Sequence, residues 1–356
     1  MMLSRLSYLA TLGFLGVLSS ACEKESTEAP KPVESAAPQK QALDPELAQA
    51  VAAASARAKG QTPGEAQAGG PPPTGIFAPG AADREAQKGA PPKITLGAEG
   101  SEPRVSLQPA QPKPGTKTNG SIQIELQSDP RQGGIPIDFA LTLEAQKPKE
   151  QSDAPGPVTV IARVNNAGIA LNGAPPELTR NIGKLKGTKV EYQVLPDGGG
   201  TGFKFELAKG ADQNLEDSVR ALSDALAVIT LPYPEKPVGV GAYWMATSRD
   251  GLFGLDLVTY RLVKVESVEN GRVNLSVNTK RYSAVPTFDL VGLPPDAPRE
   301  MREFQALAEG KLQIVPGTGF PAGGEQMSLL AAALGKGNQP AGTLQLRTSA
   351  KITFGK

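Results

Sequence analysis

The sequence predicts an α+β fold that is mostly antiparallel β. Two similar β-meander halves would form a curved sheet or sandwich packed on a few helices, behind a disordered N-terminal region. Three observations lead there. Beyond about residue 94, apolar residues alternate with others in run after run, the period of a strand with one buried face. Short turn-like segments join these runs, which argues against βαβ units. Forty glycines and 33 prolines among 356 residues point to extended low-complexity sequence somewhere in the chain.

The first elements concern export. Arg5 supplies a positive start, Leu6 to Leu18 is an uncharged, mostly apolar run, and Ser19-Ser20-Ala21 gives small residues before Cys22. This is the layout of a lipoprotein signal over residues 1–21, with Cys22 as the lipid-attachment site. Ser19 stands where such signals prefer a branched apolar residue, and Glu23 follows the cysteine, which favours outer-membrane delivery. Residues 22–93 are expected to be a disordered Pro/Ala/Gly-rich tether. Their few large apolar residues, Ile76 and Phe77 among them, are too sparse to offset the entropy of ordering. A transient helix is expected after Asp44-Pro45, with Leu47 and Val51 one helical step apart.

The globular domain is expected over residues 94–356. Its strands are read from Ile122-Ile124-Leu126, Ile137-Phe139-Leu141-Leu143, Val158-Val160-Ala162-Val164, Val190-Tyr192-Val194 and Phe203-Phe205-Leu207. Later runs are Val258-Tyr260-Leu262, Val273-Leu275-Val277, Leu344-Leu346 and Ile352-Phe354. Asn270-Gly271 between two of these runs predicts a two-residue hairpin. Leu215, Val219, Leu222, Leu226 and Ile229 predict one amphipathic helix, stopped by Pro232 and Pro234. Shorter helices are expected over Arg299–Leu307 and Met327–Leu334. Pro175-Pro176-Glu177 and Gly200-Thr201-Gly202-Phe203 recur in order as Pro294-Pro295-Asp296 and Gly317-Thr318-Gly319-Phe320. This suggests pseudo-repeats at about 103–207 and 238–356.

Composition excludes several functions. The charge is balanced, with 37 basic and 36 acidic residues, so no nucleic-acid partner is expected. With no histidine and one cysteine, the chain can form neither an internal disulfide nor His- or Cys-based zinc and nucleophile sites. No cofactor or metal is expected. The Gly198–Gly202 stretch lacks the ending of a phosphate loop and reads as a turn. Arg180, Lys184, Lys186 and Lys189 read as solvated charges. Asp250 and Asp256, with Glu300 or Glu303, are the carboxylates nearest the tryptophan strand, and surface roles suit them best. Tyr243 and Trp244 are the candidate ligand-cleft residues, although Trp244, the sole tryptophan, fits a core anchor beneath the helix better.

Leu231-Pro232, Lys236-Pro237-Val238-Gly239-Val240-Gly241, Trp244, the Thr259–Val265 strand and the Asn-Gly turn form a pattern. It resembles an uncharacterised family of secreted bacterial lipoproteins, a domain of unknown function common in myxobacteria. The resemblance spans most of Pro103 to Lys356. It implies a lipoprotein signal, a low-complexity leader and two β-rich halves, and supplies no catalytic residues. Many relatives have methionine-rich first strands where this chain has Ile and Leu.

The expected function is a lipid-anchored cell-envelope lipoprotein with a non-catalytic binding or structural domain. Its partners would be the membrane through the anchor and another envelope protein, cell-wall material or an apolar ligand. The alternatives are a carrier of an apolar ligand and an envelope hydrolase using carboxylates or a Ser-Lys pair.

Overall fold

The computed structural model describes residues 72–127, 134–147, 156–252, 255–287, 300–336 and 339–354. The signal, Cys22, most of the tether, the helix expected after Asp44 and the Pro294-Pro295-Asp296 landmark lie outside the described residues.

Twelve strands form one open, antiparallel sheet. They are β1 (Lys93–Ala98), β2 (Lys117–Gln127), β3 (Ile135–Ala145), β4 (Val158–Ile169), β5 (Lys189–Val194) and β6 (Gly200–Glu206), then β7 (Tyr243–Leu252), β8 (Leu255–Glu269), β9 (Arg272–Ser283), β10 (Glu300–Ile314), β11 (Pro321–Lys336) and β12 (Gln339–Phe354). The spatial order is β1-β7-β8-β9-β10-β11-β12-β2-β3-β4-β5-β6. Two meanders, β2 to β6 and β7 to β12, therefore join through the β12–β2 pair. The predicted mostly antiparallel architecture is what the chain adopts. The Gly-Thr-Gly-Phe landmarks fall at the β5–β6 and β10–β11 hairpins.

Among the described residues, three α-helices accompany the sheet: α1 (Ala81–Glu85), α2 (Pro176–Gly183) and α3 (Glu216–Ile229). In α2, Pro176 suits the first turn, where the missing N–H costs nothing. The helix α3 is the one predicted from apolar spacing, and Val219, Leu222, Leu226 and Ile229 are all buried. Its buried residues join inward-facing side chains from β2 to β5, β7 to β10 and β12 in one cluster, so the sheet curls around the helix.

The helices expected over 299–307 and 327–334 are overturned: 300–307 and 327–334 are strand, within β10 and β11. Leu329-Leu330-Ala331-Ala332-Ala333-Leu334 has good helix formers, yet it is paired along its whole length with β10 and β12. Backbone pairing on both sides outweighs a propensity of a few tenths of a kcal/mol per residue.

A second correction concerns the tether. Residues 72–92 form a strap across the outer face of β7 to β9. Phe77 and Ala82 are buried with Met245, Val258, Tyr260 and Tyr282. Ile76 and Phe77 cannot make a core by themselves, but the sheet supplies the other half of one. Arg249 ties the strap down, donating to Asp256 through Nε (2.6 Å) and Nη2 (3.1 Å), and to Asp83 (3.3 Å) and the Ala86 carbonyl (3.2 Å) through Nη1.

Candidate functional site

Two places stand out. The first is a surface cleft of about 750 Å³ beside β1. As the end strand of the sheet, β1 pairs among the described residues with β7 alone, so its other edge fronts the cleft. Half-buried Ile94 and Leu96 line the β1 side. Leu195-Pro196-Asp197 of the β5–β6 turn and Pro234-Glu235-Lys236 line the other. Prolines bound the cleft because they cannot donate to a ladder, so they neither extend nor fill the sheet.

The charges around the cleft are held in place. Glu99 accepts from Lys236 Nζ (3.1 Å) and Arg104 Nη1 (2.6 Å), and these cations, Lys236 foremost, hold its carboxyl below the usual range. Asp197 accepts from the Gly199 amide at 2.8 Å, while burial pushes its carboxyl upward. The backbone around Asp197 is fixed by a Tyr233 N–H donating to its carbonyl at 2.8 Å.

The two predicted cleft aromatics part company, because neighbours in a strand point to opposite faces. Trp244 is fully buried in the main cluster. Its Nε1–H donates to the Pro232 carbonyl at 2.9 Å, which satisfies the polar end of the ring inside the core. Tyr243 is 41% exposed and lies over Gly97, where an added Cβ would meet the ring at 2.0 Å. Gly97 lines the cleft, whereas Tyr243 is not among the lining residues.

The second place is interior. On β7 to β9 the inward-facing positions change from apolar to polar along each strand. Trp244 and Ala246 give way to Ser248 and Asp250, Val265 and Val263 to Arg261 and Thr259, and Val273, Leu275 and Val277 to Thr279 and Arg281. Register aligns them, with Thr259 opposite Arg281 and Arg261 opposite Thr279. Further across, Gln326 and Ser328 of β11 and Thr348 of β12 continue the band, Ser328 hydrogen-bonding Thr348. Arg261 donates to Asp250 Oδ2 (2.9 Å) and Ser248 Oγ (2.9 Å).

Over this band lies Asp224 of α3. A cavity of about 40 Å³ between helix and sheet is lined by Asp224, Arg281, Gln326, Ser328 and Thr348, with Ala221, Ala225, Ala306 and Ala350 leaving the space. Asp224 Oδ2 and Gln326 Oε1 are shut off from solvent, without a hydrogen-bond partner among the described residues. Burial pushes the Asp224 carboxyl up to about 8, against the pull of Arg281 and Arg220. Burial, then Arg261, brings Arg281 down to about 10, while Asp250 and Asp224 oppose the fall.

The remaining sequence candidates are spread apart. Asp250 bonds Arg261 within the sheet's interior, whereas Asp256 bonds Arg249 under the strap. Glu300 and Glu303 are exposed on β10, so no carboxylate pair is assembled from these four. Lys184 and Lys189 pair with Asp212 and Glu206. Gly198–Gly202 is a hairpin, with Leu195 N–H donating to the Gly199 carbonyl and Gly198 N–H to the Leu195 carbonyl. Sequence reading missed Arg261, Arg281 and Asp224. A signal was present: the step of two from Val273 through Val277 runs on to Thr279 and Arg281.

No family model and no curated protein matches the chain. Among solved structures, the crystal structure of Rv2717c from M. tuberculosis is similar over 67% of this chain and 91% of its own, with 10% identity and a TM-score of 0.21. A likeness at that level carries no argument about fold or function.

Proposed function

We propose that this chain is a lipid-anchored cell-envelope lipoprotein, acylated at Cys22, whose β domain binds an extended segment of another envelope protein along the free edge of β1. The observation that carries this reading is the cleft of about 750 Å³ beside β1, the end strand of the sheet. An incoming strand would gain main-chain hydrogen bonds from β1 and apolar contact with Ile94 and Leu96. Lys93 and Pro91-Pro92 discourage indiscriminate pairing at one end of this edge. The anchor rests on the Arg5 to Cys22 layout and the outer-membrane destination on Glu23. Among the described residues no helix is long and apolar enough to cross a membrane.

Two other readings are weaker. A carrier of an apolar ligand needs a roomy interior, and two cavities among the described residues, of about 30 and 40 Å³, are far below the several hundred Å³ of ordinary ligand sites. A carboxylate hydrolase needs two converging acids, whereas Asp250 and Asp256 each serve an arginine.

The test is site-specific photo-crosslinking of the full chain in intact envelopes, from Lys236 in the cleft and from exposed Leu171 as a control. A polypeptide adduct is expected from position 236 and not from 171. Adducts to glycan alone, or equal labelling from both positions, would overturn the reading.

A further inference from the structure

The interior band holds an imbalance of charge that the proposed surface function does not use. Asp250 is committed to Arg261 at 2.9 Å. Arg281, only 7% exposed, forms no ion pair among the described residues. Arg281 lines the cavity beneath α3, together with Asp224, Gln326, Ser328 and Thr348. A buried cation without a direct counter-charge is costly, and so are two buried oxygens without donors. One guest in the cavity resolves both if it is negative and the groups around it donate.

The groups can all donate. Arg281 carries five N–H groups, and the two hydroxyls can turn toward a guest. The Gln326 amide can present its NH₂ by rotating half a turn. Asp224 donates through Oδ2–H when its carboxyl is neutral, the form burial favours at neutral pH. The other ionisable groups facing Asp224 are few. Arg281 on β9 acts on it from the sheet side, and Arg220, ion-paired with Glu216, from α3 itself; Arg261 on β8 and Asp250 on β7 act on Arg281. The cavity-lining residues of β2 and β10 to β12 are not ionisable. On β6, Phe205 lies under Arg220, while Lys204 and Glu206 pair with β5.

We propose that the cavity between α3 and β9 is a binding site for one small monovalent anion, a halide or a one-carbon carboxylate, held between Arg281 and Asp224. The space of about 40 Å³ exceeds the ~10–15 Å³ that a single water needs. It is too small for an acyl chain, which limits the guest to a few atoms. Binding the anion and protonating Asp224 reinforce each other, since an ionised Asp224 would repel the guest and turn Oδ2 into an acceptor. The site is independent of the β1 cleft and stands or falls apart from it.

The test uses the full chain in a buffer whose only anion is gluconate, too bulky to enter. Chloride, bromide and formate are titrated separately at constant ionic strength while Tm is followed. At pH 6.5 a saturable rise in Tm is expected, and the halide and formate arms show which source of the charge the site prefers. At pH 9.5 the apparent affinity should fall at least about tenfold, as the competent, protonated population shrinks. Asp224→Asn should keep the rise and lose most of its pH dependence, the remainder being the onset of Arg281 deprotonation near 10, whereas Arg281→Gln should lose the rise. If Arg281→Gln fails to fold, anomalous diffraction from bromide-soaked wild-type crystals decides: a peak within reach of Arg281 and Asp224 is expected. A Tm response that is linear and equal for all three salts, or a cavity without a bromide peak, would overturn the proposal.

Discussion

Trp244 shows how one residue can serve two purposes in the core. Its ring is buried in the main apolar cluster, 6.2 Å between centroids from that of Tyr233, and its one polar atom is satisfied by Pro232, beyond the end of α3. Trp244→Ala should destabilise the domain by about 3–5 kcal/mol, read from the denaturant midpoint. As the sole tryptophan, it should emit at shorter wavelength when folded and shift to the red on unfolding. Asp224 gives a second prediction at this scale. Its folded carboxyl titrates at about 8 against about 4 in an unfolded chain. Between those values the folded state holds the extra proton, so the contribution to stability is complete below pH 4 and is lost as pH rises to about 8. Asp224→Asn should remove that slope in a series of unfolding curves from pH 4 to pH 9, and a slope unchanged by the substitution would contradict the assignment.

At the level of elements, the β8–β9 hairpin follows from its sequence. Asn270 and Gly271 both have positive φ, 52° and 74°, as a turn matching the twist of two paired strands requires. Gly271→Val should cost about 1–2 kcal/mol, seen as a lower unfolding midpoint with an unchanged sheet signal. The strap is held differently, by a few tertiary contacts. Arg249→Ala removes its four hydrogen bonds and leaves Asp83 and Asp256 without their shared cation. Limited proteolysis should then cut within residues 78–90 well before the sheet is attacked, whereas equal resistance in the two proteins would show that Phe77 and Ala82 alone hold the strap. The alternation in β8 carries a related lesson. Val258, Tyr260 and Leu262 mark the face beneath the strap, while the opposite face, with Thr259, Arg261 and Val263, meets the core. A strand buried on both sides has no single apolar phase.

For the whole molecule, the sheet's two edges define what it can meet. The start of β1 and the β5–β6 turn come close at Pro92 and Gly199, where an added Cβ would lie 3.1 Å from the proline. Beyond that point the cleft keeps the β1 edge open. At this scale the anchor is also testable: labelled palmitate should enter the wild-type protein, and Cys22→Ser should release it from the membrane fraction. A serine variant as firmly held as the wild type would remove the lipoprotein reading and leave the cleft untouched.

The sequence by itself determined the period-two strands, the turn at Asn270-Gly271 and α3. Each rests on signals within a few residues of one another: alternation, a turn dipeptide, apolar spacing closed by proline. Only the tertiary structure decided the state of 300–307 and 327–334, where neighbouring strands supply the hydrogen bonds that override local preference. Only it decided that Ile76 and Phe77 find a partner surface in the sheet. The meeting of Asp224 with Arg281 was likewise beyond reach, because a helix and a strand 57 residues apart (281 − 224) are brought together by the curl of the entire sheet and by no local rule.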